Sequence, residues 1–510
     1  MQDDVKKYAE SRQLVKEGKA QEAYQMVLDL IMKGTTLWEP YYEAGIFSFY
    51  NHDFKTALGF FRMAARKEKT TYVSTLDLTN LLMMMGNYSE ALGIWQNKLS
   101  GQPSPNVLGS FLEFLSGVSE SSERAEEFFK SRVGGPKIEY PEFCKLMRQS
   151  VLPQQVLITP KEEIQPTRVQ YFNMQAPTAP ATIFPALSMF NVSGAVVSPY
   201  SDTVIMGDKG IIPDYFNLEE HLFYDTFTRR SIPLAGRDLL LVSKDAVLGH
   251  LKRGVILTSY AISNWAHFLT EIMPIVSLVE DLMIPTHVPL LISKPFAEQT
   301  LQFLNLVKSP GRPIEIISSK TLVDDAIWFT PPTTVPFEYL KSRCGKQVHY
   351  SPSDLLFSPG ALASLRARIE SLGLGSAEEN RVKVFIDRNS ARRRVTNREA
   401  VVSYFSDAGY VIAQPEQLSL NEQIDLFSKA SVIVGQTGAG LANMLFAPEG
   451  AKIIVLSGNP EDPGPHSYFP NLARALGHEM HYMAFGPPTP DLHIDFEVDL
   501  EALNQLEGLH

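Results

Sequence analysis

From Val382 onward the sequence alternates between two hydrophobic rhythms, and this alternation constrains the fold more than any other feature. Short β-type runs, "VKVFIDR", "YVIAQP", "SVIVG" and "KIIVLS", are separated by segments of helical spacing, "NREAVVSYFSDAG", "SLNEQIDLFSKA" and "LANMLFA". Strands that keep giving way to helices over short connections lie parallel, because the helix is the crossover that returns the chain to the same end of the sheet. Helix "PGALASLRARIESLG" leads into this unit. Upstream, "RGVILTS", the helical pattern "SNWAHFLTEIMPIVSLVEDLM", "VPLLIS", helix "FAEQTLQFLNLV" and "IEIIS" repeat the rhythm. We expect two Rossmann-like halves, each housing its own strands, with a cleft between them. Ligands of open α/β sheets sit at the carboxyl ends of the strands, so the site is sought there.

At one such end, "SVIVGQTGAGLANMLFAPEG" places three glycines within six residues between a strand and a helix. Backbone N–H groups at a helix start, with glycines that permit close approach, form an anion site suited to phosphate. The spacing is neither the Walker pattern nor G-x-G-x-x-G, and a glycine turn that merely packs the helix is the competing reading. A second strand end, "FIDRNSARRRVTN", delivers Arg388, Arg392, Arg393 and Arg394 in a chain of formal charge -11. Guanidinium groups hold phosphate oxygens with paired donors, and Arg388 stands nearest the strand. The overall charge argues against a general nucleic-acid or membrane-surface binder, so an anion site has to be built locally.

In the other half, "SNWAHFLTEIMP" sets His267 and Glu271 four apart, on one helical face, with Asn264 just before. Such a pair can take a proton from an incoming hydroxyl; a structural histidine is the alternative. No third metal ligand stands out beside it, and we expect no metal. Downstream, His466, Ser467 and Tyr468 follow "KIIVLS" where a ligand could be contacted, while His478 and His481 read as surface residues.

The first 130 residues follow another rule. Ala23, Ala57, Ala91 and Ala125 recur every 34 residues, and Val27, Phe61, Trp95 and Phe129 follow them by four. Gly45 offers a further small residue. This resembles tetratricopeptide repeats, in which a small residue lets paired helices approach and a bulky one fills the groove. Such pairs stack into an all-α solenoid whose concave face binds a protein partner or a second copy. Proline-rich stretches from Lys137 mark the boundary. We divide the chain into a repeat domain at 1–135 and two Rossmann-like domains at 136–345 and 346–510. Cys144 and Cys344 fall in different segments, which argues against a disulfide framework. With no apolar signal-like N-terminus and no run long enough to span a bilayer, a cytoplasmic protein is expected, held at the inner membrane through partners if at all.

Together, Asn-aromatic-x-His-Phe-x-x-acid, strand-Asp-Arg-x4-Arg and "PEQLSLNEQIDLFSKASVIVGQTGAGLANMLFAPEG" resemble glycosyltransferase family 61. The resemblance is specific over 382–456 and recognisable over 260–275. It implies a GT-B-like, inverting, metal-independent transferase without a cofactor, its donor a nucleoside-diphosphate sugar, with UDP-sugar the expected one. By the same resemblance Arg388, Arg393, Gly435, Thr437, Gly438, Ala439, Gly440 and Asn443 would hold the donor, with His267 and Glu271 catalytic. The family commonly has His where Thr437 stands and Asp where Glu271 stands. The expected acceptor is a glycan of bacterial surface polysaccharide. The alternatives are a protein acceptor recruited by the repeats, and a non-catalytic scaffold.

Overall fold

The computed structural model describes residues 2–16, 19–50, 53–68, 73–85, 90, 94, 142–153, 155–164, 169–172, 181–215, 231–233, 239–242, 246–295, 297–334, 355–374, 381–388, 393–458, 468–486 and 494–506. The chain divides into two compact units, one containing the N-terminal helices and one containing the two large sheets.

The first unit contains helices Gln2–Lys16, Ala20–Met32, Glu39–Tyr50, Phe54–Lys67 and Val73–Met84. The second and fourth begin 34 residues apart, in step with the sequence period. Ala23, Val27, Ala57 and Phe61 are buried. Gly45 shows why a small residue stands there: a Cβ would lie 2.6 Å from the Phe61 ring. Asp53 accepts from the Thr56 N–H to cap its helix, and Glu68 accepts from the N–H groups of Val73 and Ser74 to start the next. Ala91, Trp95, Ala125 and Phe129, the later copies of the repeat, lie outside the described residues.

In the second unit, the described residues form an eleven-stranded mixed sheet, a six-stranded sheet and a two-stranded sheet. One side of the large sheet is parallel, in the order Ile314–Ile317, Leu290–Ser293, Gly249–Leu257, Thr321–Phe329. The long strand Leu187–Val197 pairs antiparallel with the last of these. The six-stranded sheet is parallel throughout, ordered Val411–Ala413, Val382–Ile386, Ala430–Gln436, Lys452–Ser457, Glu479–Ala484, Val169–Phe172. Its last strand corrects the expectation that each half keeps its own strands. Val169–Phe172 comes from the earlier segment yet pairs with Met480–Met483, extending a parallel edge that would otherwise expose unpaired backbone groups.

One apolar cluster contains residues of both sheets, among them Val255, Leu257 and Ile292 with Ile386, Ile433 and Val455. Helices Met273–Asp281 and Pro359–Ser371 contribute Val276, Val279, Leu362 and Leu365 to it. No helix among the described residues is long and apolar enough to cross a membrane.

Candidate active site

The helix expected over 263–283 is broken, and the break carries the histidine. A 3-10 turn at Tyr260–Ser263 leads to Asn264, whose Oδ1 accepts from the Ala266 N–H at 3.0 Å. Asn264 is thus an N-cap. After one α turn, Phe268–Ile272 widens into a π-helical turn, closed by the Met273 N–H donating to the Phe268 carbonyl. Pro274 follows directly and has no N–H to continue an α ladder. Such π turns often occur at functional sites. His267 and Glu271 lie along this stretch, and Nδ1 is 2.5 Å from Oε1. Their side chains are 11% and 6% exposed, so little water screens the pair.

The Tyr468 ring lies 4.8 Å from the His267 ring, and its hydroxyl is 2.7 Å from Thr270 Oγ1. Burial, and then the Glu271 charge, pushes the Tyr468 pKa well up, keeping the phenol protonated. The same two causes raise Tyr215, whose hydroxyl donates to the Thr333 carbonyl at 2.7 Å. Nothing in the local sequence points to Tyr215, about fifty residues upstream.

The glycine loop and the arginines meet. Arg388 Nη1 donates to the Thr437 carbonyl at 2.6 Å, and Arg393 Nη1 donates to the same oxygen at 3.2 Å. Among the described residues no carboxylate pairs with either guanidinium, whereas Arg394 is neutralised by Asp495 through Nε and Nη2 at 2.9 and 2.6 Å. Burial lowers the Arg388 pKa and the Arg393 charge lowers it further, against a smaller opposite pull from the Glu416 carboxylate. Two cations sharing one neutral acceptor is an arrangement that an anion relieves. Gly438 is required by this contact, since a Cβ there would sit 2.6 Å from Arg388 Nη1. Gly435 packs against Ile386, where a Cβ would be 3.1 Å away, while Gly440 has ordinary space.

The segment after the loop is a 3-10 helix, Ala439–Phe446, rather than the expected α-helix from Leu441. Leu441–Phe446 are all buried, so no solvent face imposes an α period. Asn443 is fully buried and bridges elements: it accepts from Trp265 Nε1 at 2.8 Å and donates to Gln423 Oε1 at 3.1 Å. The bond to Trp265 ties the glycine-loop segment to the turn that carries His267.

Asp387, beside Arg388, is 2% exposed. It accepts from Arg398 Nε and Nη2 at 2.7 and 2.5 Å and from Gln414 Nε2 at 2.6 Å. The aspartate before the arginine is visible in "FIDR", but its partners are not. Arg392, His466 and Ser467 lie outside the described residues. His478 and His481, expected at the surface, are each 2% exposed: His481 lies in strand Glu479–Ala484, buried from Met480 on, and His478 Nε2 lies against the Met444 carbonyl. Among the described residues no cluster of His, Cys, Asp and Glu could hold a metal ion.

Residues 265–454 match the family model described as Glycosyltransferase 61. That segment is similar to a glycosyltransferase 61 catalytic region. The matched segment carries His267, Glu271, Arg388, Arg393 and the loop through Asn443; Asn264, His466, Ser467 and Tyr468 fall outside it. No curated protein matches the chain.

Proposed function

We propose that the chain transfers a sugar from a nucleoside-diphosphate sugar to a hydroxyl of a glycan acceptor, with inversion and without a metal ion. One observation carries the reading: Arg388 and Arg393 converge on the Thr437 carbonyl beside Gly438, within the region matched to the glycosyltransferase model. The diphosphate lies against these guanidinium groups and the first N–H groups of Ala439–Phe446. With Nδ1–H held by Glu271, Nε2 is the base nitrogen of His267. The acceptor's O–H proton passes to Nε2 and its oxygen bonds to the anomeric carbon. The bond from that carbon to the diphosphate oxygen breaks, and its electron pair leaves with the diphosphate, whose growing charge Arg388 stabilises. Glu271 orients the imidazole.

The N-terminal helices, on the same proposal, form tetratricopeptide-like repeats that engage a protein partner or a second copy. The transfer is tested by following nucleoside-diphosphate release from nucleotide sugars with a panel of glycan acceptors. His267→Ala loses about 10²–10⁴-fold in turnover while nucleotide affinity holds. Unchanged turnover in that variant removes the base from the mechanism.

A further inference from the structure

Two buried polar atoms have no hydrogen-bond partner among the described residues: Nε of Arg393, one of the paired arginines, and Oε1 of Gln436, an acceptor next to Thr437 in sequence. Gln436 is 4% exposed and ends strand Ala430–Gln436, immediately before Thr437. Side chains alternate along a strand. Val432 and Val434 pack in the cluster that holds Val395 and Phe496, and Gly435 faces Ile386 and Leu441 on the other side. Gln436 therefore lies on the face of Val395, two residues after Arg393. Its register neighbour Leu456 belongs to the same cluster. Burying an amide acceptor unpaired is costly, and native chains keep such groups where a ligand completes them.

The two orphan atoms ask for opposite chemistry. Arg393 Nε needs an acceptor, which a phosphate oxygen supplies. Gln436 Oε1 needs a donor, which neither phosphate nor a carbonyl can supply. In a nucleoside-diphosphate sugar the groups that flank the diphosphate are hydroxyls, those of the ribose on one side and of the transferred sugar on the other. We infer that Gln436 is a specificity-determining residue of the donor site, its carboxamide oxygen accepting a hydrogen bond from a hydroxyl next to the diphosphate while Arg393 Nε takes a phosphate oxygen. This rests on the proposed donor site and names the contact that separates a nucleotide from a bare anion. A site that hydrogen-bonds a ligand hydroxyl discriminates strongly against ligands that lack it.

The test is calorimetric titration of the full chain with uridine and guanosine diphosphate, the sugar ester of whichever binds tighter, and inorganic pyrophosphate. Gln436→Met keeps the length of the side chain and removes the acceptor. The variant loses about tenfold in affinity for a hydroxyl-bearing ligand and stays within about twofold for pyrophosphate. Its ligand-free melting temperature is equal to or above that of the wild type, since an unpaired buried group has gone. Loss for both the diphosphate and its ester assigns the ribose; loss for the ester alone assigns the transferred sugar. Arg393→Lys, which keeps the charge but not Nε, weakens all ligands including pyrophosphate. Unchanged nucleotide binding in Gln436→Met, or an equal loss of pyrophosphate, overturns the inference and leaves the donor site standing. Wild-type protein that binds none of these ligands overturns both.

Discussion

Trp265 and Asn443, 178 positions apart, share a 2.8 Å hydrogen bond that joins the histidine-bearing turn to the glycine-loop segment. The Asn443 amide nitrogen in turn donates to Gln423, which donates to the Pro415 carbonyl. Asn443→Leu strands the Trp265 N–H and the Gln423 oxygen, and is expected to cost about 2–4 kcal/mol in urea unfolding. Trp265→Phe costs about 1–2 kcal/mol, and the double variant falls short of the sum because the pair shares one bond.

Gly438→Ala separates packing from binding. The atoms its Cβ meets are the far end of the Arg388 side chain, at 2.6 and 2.8 Å, and that end can swing away. The melting temperature changes little, while nucleoside-diphosphate affinity drops about tenfold as the guanidinium leaves its place. A thermal scan and a titration on the same sample read both quantities.

Asp387 holds the strand end from which Arg388 projects. Asp387→Asn keeps the shape but loses the charge-assisted pair with Arg398, whose guanidinium is half exposed and can turn to water. The expected cost is about 2 kcal/mol of stability, read from the denaturation midpoint, with weaker anion binding as the strand end loosens.

Acidification acts through His478. Burial pushes its pKa down to about 4, with the nearby Arg366 charge adding to this, and Nε2 lies 2.9 Å from the Met444 carbonyl. The neutral ring donates through Nε2. Between pH 6.5 and 4 the unfolded chain binds a proton that the folded chain refuses, so this contribution to stability is present above 6.5 and falls by about 1.4 kcal/mol per pH unit below it. His478→Gln, which keeps a donor at the same reach, flattens the melting-temperature profile over that window.

Much of the site was legible because its residues are contiguous. The glycines, Arg388 and the His267–Glu271 spacing all stand in short motifs whose chemistry is local. The partners that complete them are distant in sequence: Trp265 with Asn443, Asp387 with Gln414, Tyr215 near Glu271. The alternating strands from Val382 were readable from their apolar runs. Thr321–Phe329 was not, because Asp324 and Asp325 interrupt the run; both are exposed, and Asp324 pairs with His250 at 2.8 Å. The π turn at Phe268–Ile272 was hidden because hydrophobic spacing barely distinguishes it from an α turn. His478 and His481 look polar in sequence, and only the fold shows that both positions are buried.

The most direct test of the central claim is calorimetric titration of uridine and guanosine diphosphate into wild-type protein and Arg388→Ala, with and without magnesium. The account predicts that one nucleotide binds the wild type without metal and that the variant weakens it about thirtyfold, near 2 kcal/mol. Equal affinity in the two proteins, or no binding to the wild type, contradicts a diphosphate site at the paired arginines.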